Sequence, residues 1–406
     1  MIALIEYNVS RNTMRTSKKA QNRRAHQDQD FERLYRTIPN GGPRNAPLDD
    51  LSAPLPDEQP KPRKWKKILK RVLIVLAILL VLSGLWLGWK FAANIIKVFG
   101  WGGIKDIFHS QKLKGEDVGR VNILLAGNSA DDPGHGGAQL TDSIMLVSLN
   151  TKDKTGYIMS IPRDLYVNIP NHGYAKINEA YPDGKGDNFA ESGYADGGMG
   201  LLEKVVSQNF GVTLDYYALV NYTGLQQAVD AVGGVNITIT STDPRGLYDP
   251  SPDLRNNRKP LIKLPNGPVT LDGRTALNLS RARGDSRYSY GYANSDFTRT
   301  ENQRKILIGL KDKGTSLGTL SNPVKLGELF DSFGGNVQTD FKTSELRRLY
   351  DVSKEIPSTK ITSASLNSAN GKNLLTTYTT KTRQSALVPL AGIDDYTQIQ
   401  AFIAGL

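Results

Sequence analysis

Five polar residues in the second half of the chain are spaced as an anion-binding site would require. Arg281 and Arg283 lie two positions apart in Leu-Ser-Arg-Ala-Arg-Gly, and an extended strand would place both on one face. Asp296 stands where a helix N-cap is expected, with Arg299 in the first turn and Gln303 four residues later on the same face. Guanidinium groups bind phosphate or pyrophosphate bidentately. The alternative is a set of solvated surface arginines.

A further arginine favours the anion-site interpretation. Arg163 follows an apolar, strand-like run that ends in a proline. Downstream, Lys176 and Asn178 lie two positions apart after a turn. Two roles remain open for this pair, because the side chains could reach a phosphate or sugar or could hold the loop that follows Arg163.

The net charge does not favour nucleic acid as a partner. The chain has 406 residues and a formal charge of +11. Residues 1–71 contain 16 Lys and Arg against 8 Asp and Glu, a net of +8, which leaves only +3 for the other 335 residues. A basic folded face is the usual signature of nucleic-acid binding, and here the charge lies in the N-terminal segment instead.

The residue types present exclude several catalytic chemistries. Cysteine is absent, which rules out a cysteine nucleophile, Cys-ligated zinc and iron–sulfur clusters. Only four histidines, His26, His109, His135 and His172, are available for a histidine metal site or a serine triad.

An apolar run predicts a single transmembrane helix. The 18 residues Val72–Trp89 contain no charged side chain, and Trp86 and Trp89 lie at the far end, where an interfacial belt is expected. Seven Lys and Arg within 61–71 predict that the N-terminal side stays in the cytoplasm. Because roughly 70 residues precede the run, far more than the ~15–30 of a signal peptide, we expect a permanent anchor and an extracytoplasmic globular domain.

The rest of the chain divides by composition. Residues 1–60 are poor in aliphatic side chains and predict a disordered cytoplasmic tail. We expect a basic flank and the anchor at 61–90, a connector at 91–117, a catalytic domain at 118–355, and a C-terminal extension at 356–406 packed on or near that domain. The stretch 241–266 is rich in Pro, Asp and Arg and predicts a long surface excursion.

Alternating elements predict an α/β (α+β) fold with a mixed central sheet flanked by helices. The predicted strands are Asn122–Ala126, Ser143–Leu149, Tyr157–Ile161 and Tyr216–Asn221. The predicted helices are Asp196–Gln208, Gly224–Val232, Thr275–Leu279, Thr298–Lys313 and Ser344–Lys354.

The order of short motifs from about 115 to 355 resembles the LytR-CpsA-Psr family of cell-wall ligases. The motifs are Val121-Asn-Ile-Leu-Leu-Ala-Gly127, Leu140-Thr-Asp142, Ile161-Pro-Arg163-Asp164, Ala175-Lys-Ile-Asn178, Asp215-Tyr-Tyr217, Val229-Asp-Ala-Val-Gly-Gly-Val235, Leu271-Asp-Gly-Arg274 and the arginine-rich segment. Each is weak alone, and their order is specific.

The resemblance implies a membrane-anchored phosphotransferase that moves a glycopolymer from undecaprenyl pyrophosphate to peptidoglycan with Mg²⁺ (or Mn²⁺). By motif position it implies phosphate contacts from four arginines and a further polar contact from Gln303. Asp142 and Asp296 are the implied carboxylates, with the metal on Asp142. The arginines are Arg163, Arg281, Arg283 and Arg299.

Two positions depart from the family's pattern. Gly127 is followed by Asn128-Ser129, where members commonly have an Asp two residues after the glycine, and Leu140 stands where an Arg is common. Asp131, Asp132 or His135 could supply the metal ligand after a shift of the loop, since Mg²⁺ needs only one or two protein carboxylates beside phosphate and water.

A polyprenyl chain also requires an apolar slot. The apolar helix faces of Leu201, Leu202, Val205, Val206, Leu225 and Val229 are predicted as core, and some could line such a slot.

Two other functions use the same residues. The first is a polyprenyl-pyrophosphate phosphatase with water as acceptor, and the second is a non-enzymatic tether for anionic wall polymers. The sequence does not specify the glycopolymer, the acceptor sugar or the oligomeric state.

Overall fold

The computed structural model describes residues 81–86, 89, 111–132, 137, 139–252, 259–316, 334–369 and 371–406. The predicted tail at 1–60, most of the predicted anchor and most of the connector lie outside these ranges. Within the described ranges, no helix is both long and apolar enough to span a membrane. All the elements below belong to one compact unit, Ile74–Leu406.

A six-stranded mixed sheet forms the centre of this unit. Its strands are β1 (Arg120–Gly127), β2 (Ser143–Asn150), β3 (Thr155–Ile161), β6 (Tyr216–Val220), β11 (Val337–Thr339) and β12 (Ile361–Ser365). The order is β11-β6-β1-β2-β3-β12. β1, β2 and β3 are antiparallel neighbours, whereas β6 runs parallel to β1 and β12 parallel to β3. The predicted mixed central sheet is confirmed.

Helices cover both faces of the sheet. They are α1 (Ala180–Gly186), α2 (Gly197–Phe210), α3 (Tyr222–Ala231), α4 (Gly273–Arg281), α5 (Ser295–Thr315), α6 (Thr343–Glu355) and α7 (Thr397–Ala404). The strands and helices predicted from the sequence agree with the observed bounds to within three residues. The agreement follows from the strong apolar periodicity of these segments.

The pleat of β1 separates two cores. Leu124 and Ala126 belong to the core that packs against α2 and α7, while Ile123 and its neighbour Leu125 belong to the core that packs against α5 and α6. Alternate residues of a strand point to opposite faces. Full burial of a side chain such as Leu124 stabilises the fold by roughly 2 kcal/mol. We call the face of Ile123 and Leu125 the cavity face.

A third core supports the arginine-bearing segment. It is built from α3, α4 and the antiparallel pair β7 (Val235–Ile239) and β10 (Gly267–Leu271), with Ile306 of α5 packed against them. Asp230 of α3 accepts a hydrogen bond from the backbone nitrogen of Gly273 at 2.7 Å, so the start of α4 is fixed to α3.

The stretch 241–266 differs from the predicted irregular excursion. It contains β8 (Leu247–Pro252) and β9 (Pro260–Leu264), which pair as an antiparallel hairpin. Leu247 and Ile262 are buried in the third core. The two strands were not predicted because they contain few apolar residues and these are interspersed with prolines and charged residues.

The segment 356–406 is part of the fold rather than an appendage to it. β12 is an edge strand of the central sheet, and β13 (Leu375–Thr379) pairs with β14 (Ser385–Pro389). β4 (Tyr166–Ile169) and β5 (Gly173–Lys176) form another hairpin, which follows Arg163.

Candidate active site

A cavity of about 700 Å³ lies between the cavity face of the sheet and helices α5 and α6. Most of its wall is aliphatic. The lining residues from the sheet include Ile123, Leu125, Met145, Val147, Leu149 and Ile158, and those from the helices include Leu307, Ile308, Leu310, Leu346 and Leu349. Leu225 also lines the cavity, whereas Leu201, Leu202, Val205 and Val206 belong to the core on the opposite face and Val229 to the third core.

Six of the predicted site residues line this same cavity. They are Asp142, Arg163, Arg281, Arg283, Arg299 and Gln303. We refer to Arg163, Arg281, Arg283 and Arg299 as the arginine cluster. The arrangement joins a group of cations to an apolar space.

The register of two strands brings Asp142 next to Arg163. Ile144 near the start of β2 pairs with Ile161 at the end of β3, so the residues just outside these strands are neighbours. The Arg163 guanidinium forms a hydrogen-bonded ion pair with the Asp142 carboxylate, and its Nε lies 3.6 Å from Asp164 Oδ2. Both side chains are largely buried.

Arg281 and Arg283 reach the cavity without forming a strand. Arg281 is the last residue of α4, and the extended backbone begins at Ala282. The predicted strand was wrong because the helical pattern continues two residues beyond Leu279. The Arg281 guanidinium lies over the Tyr222 ring, 4.9 Å from its centroid, and 4.0 Å from Asp132 Oδ2.

Asp296 joins two members of the arginine cluster. Its Oδ1 lies 3.0 Å from an Arg283 terminal nitrogen and 2.9 Å from an Arg299 terminal nitrogen. The N-cap of α5 is Asn294, so Asp296 lies in the first turn and the predicted capping role was wrong. Its position three residues before Arg299 on α5 allows the ion pair instead.

Gln303 ties three elements together at the cavity. Its amide nitrogen donates to the carbonyl oxygen of Ser280 at 2.9 Å, and its amide oxygen accepts from Ser143 Oγ at 3.0 Å. α5 is thereby linked to the end of α4 and the start of β2. Arg299 adds a second link to β2, since it donates to the carbonyl oxygen of Asp142 at 3.3 Å.

Burial and neighbouring charges shift the pKa values of Arg299 and Arg163 in opposite directions. For Arg299, which is only 5% exposed, burial lowers the pKa, and the carboxylate of Asp296 offsets part of this effect. Burial also disfavours the charged form of Arg163, but the charge and hydrogen bond of Asp142 raise its pKa overall. Both remain cationic at neutral pH, because arginine is by far the most basic side chain in proteins. The buried Nε atoms of Arg163 and Arg299 lack hydrogen-bond acceptors among the described residues.

Other predicted residues have structural contacts. Lys176 Nζ lies 2.6 Å from Asp164 Oδ1, and the Asn178 backbone nitrogen donates to the Arg163 carbonyl oxygen at 3.3 Å. Neither residue lines the cavity. These contacts favour the second of the two predicted roles, in which the pair holds the loop after Arg163.

Two of the residues that could replace the missing metal ligand already contact other parts of the protein. The Asp131 carboxylate accepts from the backbone nitrogens of Tyr222 and Thr223 at 3.1 and 2.8 Å and from the Thr223 hydroxyl, so it caps the start of α3. Asp132 faces Arg281. His135 lies outside the described residues.

Three contacts of the site were not predicted from the sequence. Ser143 adjoins Asp142 and was read only as the start of a strand, and Tyr222 carries no motif that would signal its place beside Arg281. The third is a carboxylate on the β8–β9 hairpin, Asp249, which accepts from the backbone nitrogens of Arg283 and Gly284. It could not be found while that hairpin was read as an irregular excursion.

The family model for the LytR_cpsA_psr family matches residues 104–388. The chain belongs to this family. A polyisoprenyl-teichoic acid–peptidoglycan teichoic acid transferase, TagU of Oceanobacillus iheyensis, is 32% identical over 303 residues, covering 71% of this chain and 81% of TagU. The transferase of the same description from Bacillus subtilis, TagT, is 28% identical and is covered to 83%.

A solved family structure, described as TagT bound to LIIa-WTA, has the same fold. It superposes with a TM-score of 0.51 at 24% identity, covering 70% of this chain and 91% of TagT. The predicted family resemblance is therefore confirmed by both sequence and fold.

Replacing Asp296 tests whether it holds the buried arginines. Asp296→Ala leaves Arg299 without its neighbouring carboxylate, and we expect the free energy of unfolding to fall by roughly 1–3 kcal/mol, since the ion pair is partly solvated. Inorganic pyrophosphate should raise the unfolding temperature more in this variant than in the unsubstituted protein. Thermal unfolding measures both effects.

The matched control is Glu301→Ala, which removes a half-buried carboxylate of the same helix that pairs with Lys305 at 2.8 Å. We expect little change there. Equal stability of the two variants would contradict the role of Asp296.

Proposed function

We propose that this protein transfers a glycopolymer from a polyprenyl-pyrophosphate carrier to peptidoglycan outside the cytoplasmic membrane. The observation that supports it most directly is the arginine cluster on the wall of a large aliphatic cavity. A ligand that satisfies both parts must have an anionic head and a long apolar tail. Membership of the family and the names of its relatives point to the same reaction.

The anionic head would take over contacts that carboxylates now make. Arg163 pairs with Asp142, while Arg283 and Arg299 share Asp296. A pyrophosphate offers acceptor oxygens on two phosphorus atoms and can therefore receive several guanidinium groups at once. The buried Nε donors of Arg163 and Arg299 would gain acceptors in the same step.

The apolar tail would occupy the space between the sheet and the two helices. Methyl and methylene groups on this wall favour a hydrocarbon chain, because every square ångström of apolar surface removed from water contributes roughly 25 cal/mol. Aliphatic lining residues come from the strands of the central sheet and from helices α3, α5 and α6, so the slot has walls on both sides.

Transfer requires one bond to form and one to break at phosphorus. The oxygen of an acceptor sugar hydroxyl attacks the phosphorus that bears the glycan, and the bond from this phosphorus to the bridging oxygen breaks. Polyprenyl phosphate leaves, and the hydroxyl proton passes to a carboxylate such as Asp142 or Asp296. The arginine cluster stabilises the charge that develops on the phosphoryl oxygens, which is the main source of catalysis in phosphoryl transfer.

Two alternatives use the same site. A phosphatase would pass the phosphoryl group to water, and a tether would bind the wall polymer without turnover. The fate of a labelled glycan separates all three, because transfer attaches the label to peptidoglycan, hydrolysis releases it and a tether leaves the carrier intact.

The geometry of the guanidinium groups can be tested without changing the charge. Arg281→Lys and Arg283→Lys lose the bidentate fork, and we expect roughly tenfold weaker binding of polyprenyl pyrophosphate for each. Arg163→Ala should weaken binding from the other side of the site. Isothermal titration calorimetry measures the affinities.

Arg287→Lys is the matched control, since Arg287 is exposed in the connection between α4 and α5. Unchanged affinity in all three site variants would leave the arginine cluster as a set of structural or surface residues.

Magnesium does not fit a preformed site in the described residues. They contain no group of three or more His, Asp or Glu side chains that could hold a metal ion. Ser129 stands where the family commonly supplies a carboxylate, and the Asp142 carboxylate is paired with Arg163. We propose that Mg²⁺ or Mn²⁺ binds only together with the pyrophosphate, whose oxygens supply the missing ligands.

Calorimetry of the purified protein tests this dependence. Titration with Mg²⁺ alone should give no measurable heat of binding, whereas the complex with polyprenyl pyrophosphate should bind the ion. Asp142→Asn should weaken the second binding step. Tight Mg²⁺ binding by the free protein would show instead that Asp131, Asp132 or His135 completes a protein site.

Localisation is proposed from the sequence of the anchor. The basic cluster at 61–71 precedes the apolar run Val72–Trp89, which favours a cytoplasmic N-terminus. Protease added to intact protoplasts should digest the chain beyond about residue 90 while the N-terminal tail stays protected. Protection of the globular domain would reverse the proposed topology.

A further inference from the structure

Arg283 lies in the connection between α4 and α5, and this connection is fastened to the β8–β9 hairpin. The backbone groups of Tyr248 and Tyr290 exchange two hydrogen bonds, each 3.1 Å long, and their rings stack with centroids 5.1 Å apart. Ser241 Oγ donates to the carbonyl oxygen of Gly291 at 3.2 Å. The hairpin therefore determines where this connection runs.

One carboxylate of the hairpin bonds directly to the backbone at Arg283. Asp249 is only 2% exposed. Its Oδ2 accepts from the backbone nitrogens of Arg283 at 3.2 Å and Gly284 at 3.0 Å, and its Oδ1 accepts from the backbone nitrogen of Ser251 at 3.0 Å. Burying a carboxylate costs free energy unless hydrogen-bond donors surround it. These three hydrogen bonds therefore hold the Asp249 side chain and the backbone at Arg283 and Gly284 in fixed positions.

The backbone after Arg283 has little freedom to follow another path. Gly284 has φ +70°, in the left-handed region, and a Cβ at this position would approach the Tyr292 ring to 2.5 Å. The turn thus needs both the glycine and the acceptor that holds its nitrogen. On the other side of the turn, the Arg283 guanidinium meets Asp296 at 3.0 Å.

We propose that Asp249 is a positioning residue for the anion site. By holding two consecutive backbone nitrogens, it orients the Cα–Cβ bond of Arg283 toward Asp296 and the cavity. Asp249 does not itself line the cavity, so it acts through Arg283. This inference rests on the proposed function and assigns to the β8–β9 hairpin the task of preorganising one guanidinium group for a pyrophosphate head.

A double-mutant cycle tests this action through Arg283. Binding of polyprenyl pyrophosphate is measured by calorimetry for the unsubstituted full-length protein, Asp249→Ala, Arg283→Ala and the double variant. We expect Asp249→Ala to weaken binding about tenfold, the factor for loss of one charge-assisted contact. In the Arg283→Ala background the same substitution should change affinity less than twofold.

A carboxylate that only supported the fold would weaken binding equally in both backgrounds, and that result would overturn the proposal. Unchanged affinity in Asp249→Ala would overturn it too. Absence of binding by the unsubstituted protein would instead overturn the proposed function, so the two failures are distinguishable.

A second variant keeps the test valid if Asp249→Ala does not fold. Asp249→Asn preserves the shape, but its single carbonyl oxygen can serve either the Arg283–Gly284 pair or Ser251 and not both. We expect a two- to fivefold loss of affinity that again depends on Arg283. The control Asp243→Ala removes a nearby carboxylate that bonds to Arg245, and its affinity should equal that of the unsubstituted protein.

Discussion

The pairing of Asp142 and Asp296 with buried guanidinium groups is the interaction on which the site depends. A cation beside an aliphatic cavity is unfavourable unless an opposite charge or a set of acceptors accompanies it. Asp296 serves two arginines and Asp142 serves a third, so two carboxylates hold most of the arginine cluster in place. The site is consequently organised before any ligand arrives, which is the condition for electrostatic catalysis.

This pairing in turn depends on the topology of the sheet. β2 and β3 are antiparallel, and only that arrangement places the residue before β2 beside the residues after β3. α5 then crosses the same face and brings Arg299 and Gln303 to the start of β2. Arg304, the residue after Gln303, is buried and donates to Ser160 of β3 and Ser363 of β12 at 2.6 and 2.7 Å. Burial lowers its pKa to about 10, so it still holds α5 against the sheet as a cation at neutral pH.

Much of this arrangement could be predicted from the sequence, because the residues that form the site have distinctive types. Arginines at the ends of apolar runs indicated an anion site, and the apolar periodicity indicated the strands and helices that hold them. The predicted N-cap at Asp296 failed since local pattern cannot separate the cap from the first turn within one or two residues. The β8–β9 hairpin was not predicted because its few apolar residues are interspersed with turn-forming residues.

The position and the walls of the cavity could not be predicted from the sequence. A wall of Leu, Ile, Val and Met has the same composition as a core, and only the way in which α5 and α6 pack over the sheet distinguishes them. Leu225 faces the cavity while Leu201 and Leu202 fill a core, although all three lie on apolar helix faces. Tertiary packing decides which apolar residues contact one another in a core and which line a cavity.

Photocrosslinking with a polyprenyl pyrophosphate that bears a photoreactive group near the end of its tail tests the central claim most directly. The claim is that one ligand places its head at the arginine cluster and its tail in the cavity. The account predicts crosslinks to cavity residues such as Met145, Leu307 or Leu349, and their loss when excess unlabelled carrier competes. Crosslinks confined to the exposed surface, with none in the cavity, would contradict it.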